Sequence, residues 1–147
     1  MTPIRLLLLV LALALAASSR ADLPATIERV KPAVIIVGKY RETDNPRFSL
    51  GGAGFVVGDG HLAVTNAHVL ERLPDAQVRT SLAVQVRAGD AWELRQATLL
   101  DVDPPHDLAL LRIDGAALPA LALGDSDAVR EGKSIAFTGF PIGGALG

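Results

Sequence analysis

Two residues in this chain could do acid–base chemistry together. His68 lies in "TNAHVL" (65–70), and Asp107 lies in "DPPHDLALL" (103–111). Acyl transfer by a nucleophile, base and acid needs a histidine poised near neutral pH, which no other side chain supplies unperturbed. It also needs a carboxylate that holds the imidazole in one tautomer and stabilises the imidazolium. That carboxylate belongs on a rigid element with an apolar surround. Asp107 is followed by Leu108, Ala109, Leu110 and Leu111, which meets this need. The two residues are 39 apart, enough for an intervening hairpin to bring the chain back to the same place.

The elements that must position them read as short strands joined by glycine-rich turns. "DLPATIERVK" (22–31) predicts a short helix, with Asp22 as cap, Pro24 in the first turn and Ile27 and Val30 on one face. "AVIIVGKY" (33–40) is a β-branched strand, and "RETDNPRFSL" (41–50) is a polar loop. "GGAGFVVGDGHLAVTNAHVL" (51–70) predicts a hairpin turning at Gly58-Asp59-Gly60. A second hairpin, over 81–103, turns at Gly89-Asp90, and "DLALLRI" (107–113) adds a strand. "LPALALGDSDAVREG" (118–132) is a linker with turns, and "KSIAFTGFP" (133–141) opens a new strand whose edge would be exposed. Such a run favours a closed antiparallel barrel, with about six strands from 33–113.

Composition narrows the class. Of 147 residues, 50% are hydrophobic, and 14 basic against 16 acidic residues give a net charge of −2 with no block of like sign. The balance carries no footprint for nucleic acid. There are no cysteines, so neither a disulfide framework nor a thiolate metal site can form. The first 21 residues stand apart. A basic "MTPIR" precedes the apolar run "LLLLVLALALAA" (6–17), and Ser19 and Ala21 occupy the −3 and −1 positions of a cut after Ala21. This is the pattern of a secretory signal. The run is shorter than the roughly 20 apolar residues of a membrane span. The expectation is therefore an exported, periplasmic protein without disulfides, the alternative being an anchor by an uncleaved N-terminus.

"GGAGFVVGDGHLAVTNAHVL", "DPPHDLALLRI", "LALGDSDAVREG" and "SIAFTGFPIG" occur in an order that resembles the N-terminal part of HtrA/Deg-type trypsin-like serine proteases, over roughly residues 23–143. The resemblance implies an all-β, chymotrypsin-like fold of two barrels with the active site between them. Behind the signal peptide at 1–21, it implies a first barrel at 22–117, and an inter-barrel linker with the first strand of a second barrel at 118–147. His68 matches the family's catalytic base and Asp107 its orienting acid. Polypeptide substrates, quality control of unfolded envelope proteins and the absence of any cofactor or metal are expected by the same route.

The nucleophile is a separate matter. Gly124-Asp125-Ser126 looks like the approach to one, but Asp127 and Ala128 follow where a tight oxyanion loop requires two glycines. In the family a "LGDSD" segment lies between the barrels, and the nucleophile sits in a later Gly-x-Ser-Gly-Gly loop. Ser126 reads as a linker residue, and Ser49, Ser81 and Ser134 lack the Gly-Gly as well. No nucleophile is expected in these 147 residues, which read as a fragment inactive by itself. The competing class is a catalytically inactive protease fold that binds polypeptides or regulates a partner; a purely structural envelope domain is the third.

Other motifs have plainer readings. His61, His68 and His106 lack metal-ligand spacing and a partner carboxylate set. Gly51, Gly52 and Gly54 lead into a strand with no Lys-Ser/Thr after them, so they are hairpin or bulge glycines and no phosphate loop. "IIVGKY" lies within a strand, without the basic cleavage site of a zymogen. His106 reads as an exposed loop residue and Trp92 as packed on the second hairpin. Asn66 and Thr65 read as support for the histidine's turn.

Overall fold

The computed structural model describes residues 23–71, 80–89 and 91–140. The expected signal segment, the Asp22 cap, Asp90 and residues 141–147 lie outside the described residues. Helix α1 (Leu23–Val30) leads through a 3-10 turn, Lys31–Ala33, into strand β1 (Val34–Arg41). Strands β2 (Phe48–Val57) and β3 (Leu62–Thr65) follow, then the short helix α2 (Ala67–Glu71). Strands β4 (Thr80–Ala88), β5 (Ala91–Asp103) and β6 (Leu108–Ile113) complete the sheet. It closes in the order β1-β2-β3-β6-β5-β4, every pair antiparallel.

Side chains alternate across a strand, so a barrel needs one apolar residue in two along each strand. Ile35 and Val37 on β1, Val84 and Val86 on β4, and Leu111 and Ile113 on β6 supply it. Together with Val56 and Ala63 they fill the interior, each at most 3% exposed. Burying each of the larger ones is worth roughly 1.5–3 kcal/mol, so this interior dominates the fold's stability. Ile27 and Val30 on α1 are half-buried, as their shared face predicts.

The hairpin between β2 and β3 turns where expected. Gly60 takes φ +86°, and a Cβ there would strike the backbone of Leu118. The close approach has a purpose: Leu118 N donates to Gly60 O at 3.0 Å and Leu121 N to Val56 O at 2.8 Å. The start of the predicted linker is thus strapped to the barrel, with Leu118 buried.

Two expectations need correction. The polar loop after β1 is shorter than 41–50. Phe48, Ser49 and Leu50 pair with Tyr40, Lys39 and Gly38 because ladder bonds extend the hairpin beyond its apolar part. Residues 133–139, expected as a strand, join no ladder among the described residues. The six strands close on one another and leave no edge for a seventh, so this segment has no partner in the barrel. Ile135 and Phe137 are accordingly exposed, at 67% and 91%.

Candidate active site

The barrel topology brings His68 and Asp107 together. β3 and β6 are antiparallel neighbours with Thr65 opposite Ala109. The end of β3 and the start of β6 therefore lie at one rim, and the residues just past each must meet. At the end of β3, Thr65 is buried and donates its hydroxyl to Ala53 O at 2.8 Å. The chain then turns into α2, whose Ala67 and Val69 are buried and whose His68 between them is half-exposed. Beneath α2 the β2 backbone passes so closely that a Cβ on Gly52 would lie 2.6 Å from Val69 Cγ2. Glycine at 52 lets the helix sit low enough to aim His68 across the rim.

On the other side, Pro104–His106 form a 3-10 turn ending at Asp107, in the left-handed conformation with φ 55° and ψ 44°. Aspartate tolerates this region better than most residues, at a cost on the order of 1 kcal/mol. The conformation is held by hydrogen bonds at both of its peptide groups. Asp107 N donates to Pro104 O at 3.1 Å, and Ala67 N donates to Asp107 O at 3.1 Å.

The side chains then dock. His68 N donates to Asp107 Oδ1 at 2.9 Å, and the ring Nδ1 lies 2.6 Å from Asp107 Oδ2. Asn66 Nδ2 donates to the same Oδ2 and to Asp107 O, both at 3.1 Å. The His68 backbone amide, then its ring, hold the Asp107 carboxyl below the usual carboxylate range; the ring's charge and Asn66 add to this, against a smaller opposing effect of burial. An ionised Oδ2 can only accept, so it fixes the proton on Nδ1 and leaves Nε2 with its lone pair. The ring borders an open cleft of about 720 Å³ walled by Leu50, Gly52, Val69, Phe137 and Phe140. Such a pair can take a proton from a hydroxyl and return it to a leaving group.

The remaining candidates fall elsewhere. Ser126 starts an exposed 3-10 turn in which Asp125 accepts from Asp127 N at 3.0 Å. Neither it nor Ser49, Ser81 or Ser134 lines the cleft beside His68. His106 is exposed, and its ring bonds to Asp103 at 2.8 Å. Among the described residues no three His, Cys, Asp or Glu side chains cluster to hold a metal. Trp92 packs on its hairpin under Arg87, whose guanidinium carbon is 5.2 Å from the ring centre. Its ring also meets Phe140 edge-on at 5.4 Å, so this hairpin buttresses one wall of the cleft. Sequence reasoning singled out neither Phe137 nor Phe140 as cleft residues, and it gave Asn66 no contact with the acid. The one signal for Asn66 was its place between a strand end and the histidine.

Known proteins resemble this chain over much of its length. The family model described as "Trypsin-like peptidase domain" matches residues 52–147. The chain is 35% identical over 122 residues to serine protease HTRA3 of Rattus norvegicus, covering 79% of this chain and 26% of that protein. It is 38% identical over 97 residues to the mitochondrial serine protease HTRA2 of Drosophila pseudoobscura pseudoobscura, covering 66% and 21%. The chain thus spans about a quarter of the length of these relatives. The crystal structure of Deg5 superposes with a TM-score of 0.56 at 25% identity, covering 71% of this chain and 48% of that one. The closed six-stranded barrel is chymotrypsin-like, and the chain belongs to the trypsin-like peptidase family, in its HtrA/Deg type.

Proposed function

We propose that this chain carries the base and acid of an exported serine endopeptidase. The observation that supports it is the 2.6 Å contact between His68 Nδ1 and Asp107 Oδ2 at the edge of an open cleft. In this reading a serine Oγ attacks the scissile carbonyl while His68 Nε2 takes its proton. His68 then returns the proton to the leaving amine, and Asp107 stays ionised and stabilises the imidazolium. Backbone amides bind the oxyanion. In this reading no serine among the 147 residues is the nucleophile, since none immediately precedes a Gly-Gly pair, and the chain alone is inactive. The substrates are polypeptides, unfolded envelope proteins in the first instance, and the protein acts in the periplasm after cleavage behind Ala21.

The test uses the full-length protein that contains this sequence and the 147-residue chain by itself. The full-length protein should hydrolyse casein, lose activity to a serine-directed fluorophosphonate and keep it in chelator. The chain by itself should show none, because loss of a nucleophile costs about 10⁶-fold in turnover. His68→Ala should remove nearly all activity with the circular dichroism spectrum unchanged. A folded His68→Ala protein that cleaves at the parental rate refutes the mechanism, and a full-length protein that binds casein without cleaving it favours the inactive-fold reading. N-terminal sequencing of protein from the envelope fraction reads the cut directly: Asp22 at the terminus supports export, and Met1 supports an anchor.

A further inference from the structure

We infer that Asn66 is a positioning residue, whose side-chain amide sets the rotamer of the Asp107 carboxylate and through it the orientation of His68. The inference rests on the serine-protease reading for its catalytic meaning and on the geometry for its physical content. The Asn66 Nδ2 has two hydrogens, and both are used on one residue 41 positions away: one on Asp107 Oδ2, one on Asp107 O. The orientation of the amide is dictated. Turned over, Asn66 would present its own oxygen to two oxygens, one of them charged.

The side chain is not needed to close its own turn. Main-chain bonds do that, from Val69 N to Asn66 O at 3.2 Å and from Ala67 N to Asp107 O at 3.1 Å. What the side chain supplies is a hold on the second carboxylate oxygen that does not come from the histidine ring being oriented. The His68 amide holds Oδ1 at 2.9 Å, and a carboxylate held at one oxygen can still pivot about that bond. Asn66 pins Oδ2, the oxygen that meets Nδ1 of the ring. Both Asp107 and His68 are 44% exposed at the side chain, so water competes for these positions, and a second anchor matters more than it would in a sealed site. The charged neighbours leave the role to Asn66. Of the two nearby histidines only His68 reaches Asp107, because the His106 ring is engaged by Asp103 at 2.8 Å.

The test separates a donor from a spacer. Asn66→Ala removes the donor and the bulk; Asn66→Asp keeps the shape but aims a second carboxylate at the first. A positioning donor predicts activity in the order Asn, Ala, Asp, whereas a structural spacer predicts Asn and Asp alike, with Ala worst. In the full-length protein, kcat should fall about tenfold for Asn66→Ala and about a hundredfold for Asn66→Asp, with KM within about twofold. The proton between Nδ1 and Oδ2 gives a second readout that needs no turnover. It should appear as a low-field ¹H resonance, assigned by its loss in His68→Gln, that moves upfield in Asn66→Ala and vanishes in Asn66→Asp. If the wild-type protein lacks peptidase activity, the serine-protease reading fails while the order of the proton signals still decides the role of Asn66. A resonance unchanged in the folded Asn66→Asp protein overturns the inference.

Discussion

Asp107→Asn tests the base–acid pair most sharply, because it keeps the shape and removes only the charge. Every group around this carboxylate is a donor: the His68 amide on Oδ1, and the His68 ring and Asn66 on Oδ2. An asparagine presents one oxygen and one NH₂, so one of the two sides must now face a donor with a donor. Only one arrangement relieves this. The His68 backbone N–H cannot change, so the new oxygen must face it and the NH₂ must face the ring. The imidazole can adapt by moving its proton from Nδ1 to Nε2, and Asn66 can give up its side-chain contact while its Nδ2 keeps the bond to the main-chain oxygen of residue 107. The structure survives, and the histidine is left in the tautomer that cannot accept a proton from serine. A wrong-tautomer histidine in a Ser-His-Asp triad costs about 10⁴ in kcat, or about 5 kcal/mol of barrier.

The assay is initial-rate hydrolysis of a chromogenic peptide by the full-length wild-type and Asp107→Asn proteins at neutral pH, with KM and kcat resolved. Substrate binding does not depend on the tautomer, so KM should stay within about twofold while kcat carries the loss. Near-UV circular dichroism should match, because the side chain keeps its size. A variant that retains native structure and loses less than about tenfold in kcat would show that Asp107 does not set the tautomer.

Three further outcomes follow from the same contacts. Gly52→Ala places a methyl 2.6 Å from Val69 Cγ2 and should destabilise the fold by about 1–3 kcal/mol in urea titration, with partial recovery when Val69→Ala is added. Folding holds the Asp107 carboxyl below its ordinary 3.8, so its contribution to stability is present above about pH 4 and is lost as pH falls through the native value; the stability gap between wild type and Asp107→Ala should therefore narrow between pH 5.5 and pH 2.5. Ser126→Ala in the full-length protein should leave kcat/KM unchanged within about twofold, since the residue sits on an exposed turn that does not border the cleft; a loss like that of His68→Ala would restore Ser126 as a nucleophile candidate.

How far the sequence could be read depended on whether each feature was local. The turns at Gly58-Asp59-Gly60 and Gly89, and the β-branched runs of β1 and β4, carry their signal within a few residues, and the barrel followed from them. The meeting of His68 and Asp107 was foreseen from residue types and resemblance, and the β3–β6 register explains it. Pairing decided what stayed hidden. Phe48–Leu50 looked like loop because the residues before them are polar, yet the β1–β2 ladder extends to include them. Residues 133–139 looked like strand because their side chains suit one, yet a closed barrel offers them no edge. The same dependence on a distant partner hid Asn66. Nothing within its own turn shows that its amide reaches Asp107 across 41 residues; that contact exists only once β6 lies beside β3. A strand's partner and a side chain's hydrogen-bond partner are thus one kind of information, fixed by topology. The site chemistry most open to correction by structure therefore lies in the polar residues beside a catalytic candidate, whose hydrogen bonds reach across the sheet.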